Sequence, residues 1–122
     1  APKKPRRVEL RSVFLLCCGE RVALRKRPPE GLLAGLWEFP SLAGAFEPSR
    51  QAELGIPPET PVRRVLSARH VFTHLEWEMQ GYLVELPQSP AGYQWVTREE
   101  LEERISLPSA FRAFRRFLLT GK

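Results

Sequence analysis

At 122 residues, with 43% apolar side chains, seven Phe and three Trp, the chain can bury one core and is too short for two domains. No run approaches the roughly 18 apolar residues of a membrane span. The opening APKKPRR also lacks the apolar centre of a secretory signal, so a cytoplasmic domain with no membrane partner is expected. The formal charge is +5, from 19 cations, 15 of them Arg, against 14 acids that are all Glu. Guanidinium forks bind phosphate oxygens in pairs, so this balance suits a nucleic acid, although a codon bias toward Arg, Ala and Pro gives the same excess.

In chain order, residues 1–7 read as a basic linker and 8–122 as the domain. Residues 8–18 begin as an alternating strand, Val8 and Leu10 against Glu9 and Arg11, and become continuously apolar from Val13, as a strand entering a buried sheet does. Gly19-Glu20 marks a turn, and residues 21–27 form the return strand with Val22 and Leu24 inward. A Pro- and Gly-rich loop over 28–35 leads to the apolar run 36–39. Residues 48–54 allow one or two helical turns stopped by Gly55. Strands follow at 62–69 and 75–86, the latter with Leu75, Trp77 and Met79 on one face and Glu76, Glu78 and Gln80 on the other. A short strand at 93–96 precedes Thr97-Arg98-Glu99-Glu100, a capping box at a helix start. A second helix opens near Ser106 to Pro108, with Phe111, Phe114 and Leu118 on one face and Arg112, Arg115 and Arg116 elsewhere. The class is α+β, a mixed sheet flanked by helices.

Cys17 and Cys18 are adjacent, so in a strand they point apart and can neither pair nor share a metal. Two cysteines are also too few to ligate an iron–sulfur cluster.

Three segments carry a resemblance. The stretch RPPEGLLAGLWEFP from Arg27 to Pro40 resembles the signature that opens the C-terminal domain of MutY-type adenine DNA glycosylases. The sequence His70-Val71-Phe72-Thr73-His74 resembles that family's Phe-Ser-His loop, and Leu107-Pro108-Ser109-Ala110 resembles its closing helix entry. The likeness spans about residues 8 to 120. It implies a Nudix-like fold that recognises 8-oxoguanine opposite a misplaced adenine in double-stranded DNA. A separate catalytic domain would flip and excise the adenine. The catalytic carboxylates and a 4Fe-4S cluster would belong to that parent domain. No catalytic residue, metal ligand or cofactor site is expected in this chain.

A Nudix-like fold raises a rival reading, a stand-alone hydrolase of oxidised or other nucleotides, whose helical glutamates hold Mg²⁺ against a pyrophosphate. Setting the end of that family's box on Gly55-Ile56 puts its Arg-Glu pair at Pro48-Ser49 and its Glu-Glu pair at Ala52-Glu53, so only Glu53 matches. His70 and His74 are too far apart in an extended chain to share a metal without further ligands. Trp37, Trp77 and Trp95 lie in apolar strand patterns and read as core rather than as base-stacking platforms. Glu76 and Glu78 read as a solvated strand face.

The resemblance assigns DNA and 8-oxoguanine binding to Phe72, Thr73 and His74, with His70 beside them, and the +5 charge suggests that the basic cluster Arg25-Lys26-Arg27 next to the family loop meets phosphates. Phe72 would wedge into the base stack and His74 would steady a phosphate. Guanine offers an acceptor at N7, whereas 8-oxoguanine offers an N7–H donor that a hydroxyl can accept. The family's usual Ser is Thr here, which keeps the hydroxyl and adds a methyl that stiffens χ1. Phe72 as a plain core plug, and the chain as a protein-interaction module, are the alternatives.

Overall fold

The uninterrupted apolar run after Val13 follows from its position at the middle of the sheet, with a core on each face. The computed structural model describes residues 6–121. Residues 1–5, most of the expected linker, lie outside them, and Arg7 already belongs to the first strand. The strands are β1 (Arg7–Cys18), β2 (Arg21–Lys26), β3 (Trp37–Glu38), β4 (Ser41–Ala43), β5 (Arg63–Val71), β6 (Leu75–Glu85) and β7 (Gln94–Thr97). Helix α1 spans Arg98–Glu103 and α2 spans Arg112–Thr120, with 3₁₀ segments at Pro48–Leu54 and Ser109–Phe111. The sheet runs β3-β2-β1-β6-β5, with β4 paired to β1 and β7 to β2. β1 is parallel to β6, from Arg7 opposite Leu75 to Cys17 opposite Glu85, and antiparallel to β2.

Alternation along β1 splits its apolar run between two cores. Val13, Leu15 and Cys17 pack with Val22, Leu24, Trp77, Met79, Phe111, Phe114 and Leu118 beneath α2. Phe14 and Leu16 pack with Ala23, Leu54, Ile56 and Val84 on the other face. The expected helical face of Phe111, Phe114 and Leu118 is the buried one, although the first of them sits in the 3₁₀ turn that precedes α2. At α1 the capping box is complete: the Glu100 amide donates to Thr97 Oγ1 and the Thr97 amide to Glu100 Oε1, both at 3.1 Å. Those bonds from Thr97 hold the Glu100 carboxyl below its ordinary pKa.

Two expectations need correction. Val8 and Leu10 are not inward: they are 50% and 54% exposed, while Glu9 and Arg11 on the opposite face are partly covered. The sheet is simply open at that end on that face. Glu76 is buried rather than solvated, with Arg6 and Arg69 at 3.8 and 4.0 Å. Of the three indoles expected to pack as core, Trp77 is fully buried, while Trp37 and Trp95 are half-exposed and pack against the edges of the two cores. β4, after Pro40, was not foreseen. No helix among the described residues is long and apolar enough to cross a membrane.

Among the glycines, the tightest surroundings are at Gly81 of β6. A Cβ there would stand 2.6 Å from Phe114 Cε1 and 2.9 Å from Leu66 Cδ2. Both groups are held by the core, so Gly81→Ala should lower stability by about 1–3 kcal/mol, read from urea unfolding midpoints at constant m. A change near zero would mean that α2 can slide on the sheet.

Candidate nucleic-acid interface

β5 and β6 form an antiparallel hairpin that projects His70 to Leu75 at one end of the sheet. The Phe72 amide donates to the Leu75 carbonyl at 2.7 Å and closes the turn, and the Arg7 amide reaches the His74 carbonyl at 3.4 Å. His70 and Val71 are still strand residues, so the tip proper is Phe72-Thr73-His74. Phe72 is half-buried: its ring meets the edge of Trp77 at 5.1 Å and His70 at 4.7 Å. Thr73 and His74 are exposed and make no side-chain hydrogen bond among the described residues. The tip therefore has an anchored aromatic base and a free hydroxyl and imidazole above it.

The anchor continues inward. Arg11 and Arg27 place their guanidinium carbons 4.9 and 5.2 Å from the Trp77 ring centroid, close enough for cation–π attraction. The indole nitrogen of Trp77 is buried and finds no acceptor among the described residues. These guanidiniums gather round Glu38, whose side chain is 3% exposed. Its Oε2 accepts from Arg25 Nε and its Oε1 from Arg27 Nη1, each at 2.9 Å. Arg25 also donates to the Ser41 carbonyl at 2.6 Å, and Arg11 to Ser41 Oγ at 2.8 Å. Burial is the main reason that the Arg11 pKa falls below its ordinary value, with Glu38 opposing the fall.

This network divides the Arg25-Lys26-Arg27 cluster that the sequence suggested for phosphates. Strand alternation turns Arg25 and Arg27 onto Glu38, and only Lys26 faces outward, 4.3 Å from the Trp37 centroid. Arg27 also donates to the Leu32 carbonyl at 3.0 Å, while the Arg27 amide bonds Leu36 and the Gly35 amide bonds Pro28. The loop is thus a closed ring, tight enough to hold Leu33 at φ 54°, the left-handed region. Leu32 and Leu33 pack on the core beneath α2.

Sequence reasoning missed two groups. Glu38 was read only as part of a signature, and what marks it is a lone acid in the apolar run that follows an Arg-rich return strand and its loop. Arg69, Arg112 and Arg116 were missed as a set because they come from different elements. They converge with His70 on a cleft between β5 and α2. The period of α2 places Arg112 and Arg116 one turn apart, away from buried Phe114.

The architecture is that of a Nudix domain, and the NUDIX domain family matches residues 12–116, so the chain belongs to that family. Among curated proteins it is similar to the human adenine DNA glycosylase, 32% identical over 136 aligned positions, covering 94% of this chain and 24% of that protein. The mouse adenine DNA glycosylase is 37% identical over 98, covering 67% of this chain and 19% of that protein. The chain thus spans about a quarter or less of these relatives. Among solved structures it resembles the C-terminal domain of mouse MUTYH in its complex with human PCNA. There the TM-score is 0.69 at 29% identity, over 89% of this chain and 86% of that one. A MutT protein from Methanosarcina mazei Go1, at 17% identity and TM-score 0.68, shares the fold over 95% and 96% of the two chains.

Nudix hydrolases hold Mg²⁺ on a set of helical glutamates, and the residues here do not fit that ion. The corresponding segment is the 3₁₀ helix Pro48–Leu54, where Glu53 is exposed and paired with Arg50 at 2.9 Å. No group of three or more His, Cys, Asp or Glu side chains among the described residues is placed to hold a metal.

The Glu38 network generates a stability prediction. Glu38→Gln leaves two guanidiniums facing a neutral amide in a mostly dry site, and removing one partner of a buried pair costs about 3 kcal/mol. Chemical unfolding should register that loss, and hydrogen exchange should show the amides of Gly35 and Leu36 opening first. Unchanged stability would mean that solvent already screens the pair.

Proposed function

We propose that this chain is the damage-reading domain of an adenine DNA glycosylase and recognises 8-oxoguanine paired with a misincorporated adenine in duplex DNA. Excision would belong to the parent's catalytic domain, which would also carry the 4Fe-4S cluster. The observation that carries the reading is the tip of the β5–β6 hairpin: an exposed Thr73 hydroxyl on a rigid aromatic base, in a chain 32% identical to an adenine DNA glycosylase. The rival reading, a nucleotide hydrolase, would need a metal site for which Glu53 alone is not enough.

The chemistry is a single reversal of hydrogen-bond polarity. At N7 the oxidised base donates where guanine accepts, and a threonine hydroxyl can accept from it. The same hydroxyl can also donate to guanine N7, so discrimination comes from how the turn orients it. Two features restrict that orientation: Thr has few χ1 options, and the turn is closed by the 2.7 Å bond from the Phe72 amide to the Leu75 carbonyl. Beside it, His74 is free to meet a phosphate and the outer edge of Phe72 to meet the base stack. Lys26 is the member of the basic cluster with charge to spare for DNA.

The test is a parallel titration of variants against duplexes differing only in 8-oxoguanine or guanine opposite adenine. One neutral hydrogen bond contributes about 1 kcal/mol, so Thr73→Ala should reduce the lesion preference about five-fold. Thr73→Ser should keep most of it. Phe72→Ala should weaken both duplexes alike and lower stability, because the ring supports Trp77. An unchanged preference in Thr73→Ala would refute readout by this hydroxyl.

A further inference from the structure

Part of the charge left over after the internal pairs are formed gathers on one surface. The cleft between β5 and α2 is lined by Arg69, His70, Arg112 and Arg116 together with Ala and Ser. A second cleft, lined by Arg112 and Arg115 among others, shares Ser109 and Arg112 with the first, so the two form one continuous groove along the start of α2. No carboxylate lines either part. Arg112 and Arg116 are exposed, and their guanidiniums make no hydrogen bond or ion pair among the described residues. Arg115 donates to the Glu102 carbonyl at 2.9 Å, a neutral partner that leaves its charge uncancelled. Arg69 alone has an acid near, Glu76 at 4.0 Å, and that acid is shared with Arg6.

We infer that this groove holds the sugar–phosphate backbone of the bound duplex, with Arg112 and Arg116 each neutralising a phosphate. The inference rests on the reading above that the chain binds duplex DNA. His70 links the two surfaces, lining the groove while its ring lies 4.7 Å from Phe72. A strand whose base meets the tip would therefore have backbone within reach of the groove. Each strand carries a phosphate about every 3.4 Å of helix axis, and one turn of α2 rises about 5.4 Å, so cations a turn apart can serve different phosphates of one strand. An acidic protein segment fits less well. Protein partners anchor on aromatic and large aliphatic side chains, and beside its charged groups this groove offers Ala, Ser and Pro108, with Leu107 as its one large aliphatic side chain.

The experiment measures affinity of the 122-residue chain for 8-oxoguanine:adenine and guanine:adenine duplexes across a salt series. Three proteins are compared: the unchanged chain, R112Q/R116Q, and R63Q/R64Q as a charge-matched control at the far end of β5. Loss of two phosphate contacts should reduce the slope of log affinity against log salt by about two. R112Q/R116Q should weaken both duplexes by the same factor, with R63Q/R64Q changing little. Equal effects of the two double variants, an effect confined to the lesion duplex, or no binding by the unchanged chain at the lowest salt would overturn the inference. So would tighter, R112Q/R116Q-sensitive binding of an oligo-glutamate peptide, which would make the groove a protein-docking site. A groove effect without any lesion preference would support the groove and sink the tip reading. Lesion preference with an unaltered salt slope in R112Q/R116Q would do the reverse.

Discussion

A carboxylate buried between guanidiniums organises the end of this domain that carries the β5–β6 hairpin tip. Glu38 receives Arg25 and Arg27 at 2.9 Å each, and Arg27 in turn holds the loop carbonyl of Leu32 and lies against Trp77. Trp77 carries the ring of Phe72, and Phe72 meets His70 at the edge of the basic groove. The exposed tip is thus the last member of a chain of contacts that begins at a charge with almost no access to water. A buried pair of this kind contributes modestly to net stability, because desolvation offsets most of the attraction. What it supplies here is orientation, since neither arginine can leave without stranding the carboxylate.

The network also separates two groups within the arginine excess. Arg11, Arg25 and Arg27 serve the interior, and their charge is engaged by Glu38, Ser41 or the Trp77 face. Arg112, Arg115 and Arg116 lie on the start of α2 with no carboxylate lining their groove. A net charge of +5 alone cannot distinguish these populations. Within the Nudix scaffold, the segment Pro48–Leu54 is a 3₁₀ helix whose one glutamate, Glu53, is exposed and paired with Arg50. On the proposed reading, recognition has moved from that segment to the far ends of β5 and β6.

Much of the fold was legible because its elements carry strong local signals. The run from Val13 to Cys18 marked a doubly buried strand, Thr97 and Glu100 marked a helix start, and the spacing of Phe111, Phe114 and Leu118 marked the buried helix face. Alternation misled where the sheet lacks a cover: Val8 and Leu10 look inward by pattern and are outward in space. It misled again at Glu76, where Arg6 and Arg69 supply the partners that make burial tolerable. Of the site, the Phe72-Thr73-His74 tip was visible through family resemblance. The partition of Arg25, Lys26 and Arg27 was visible only as a cluster, because Glu38 is brought to it by β2–β3 pairing. The groove was invisible, being made by strand β5 and helix α2, which sequence spacing does not connect.

The central claim is that this chain tells the oxidised base from the normal one through the hairpin tip. The most direct measurement is a pair of amide chemical-shift maps, recorded with duplexes identical except for 8-oxoguanine or guanine opposite adenine. The account predicts shifts around Arg112 and Arg116 with both duplexes, and a difference between the two maps confined to Phe72, Thr73, His74 and their immediate neighbours. Superimposable maps, or a difference centred on the 3₁₀ helix Pro48–Leu54 instead, would contradict it.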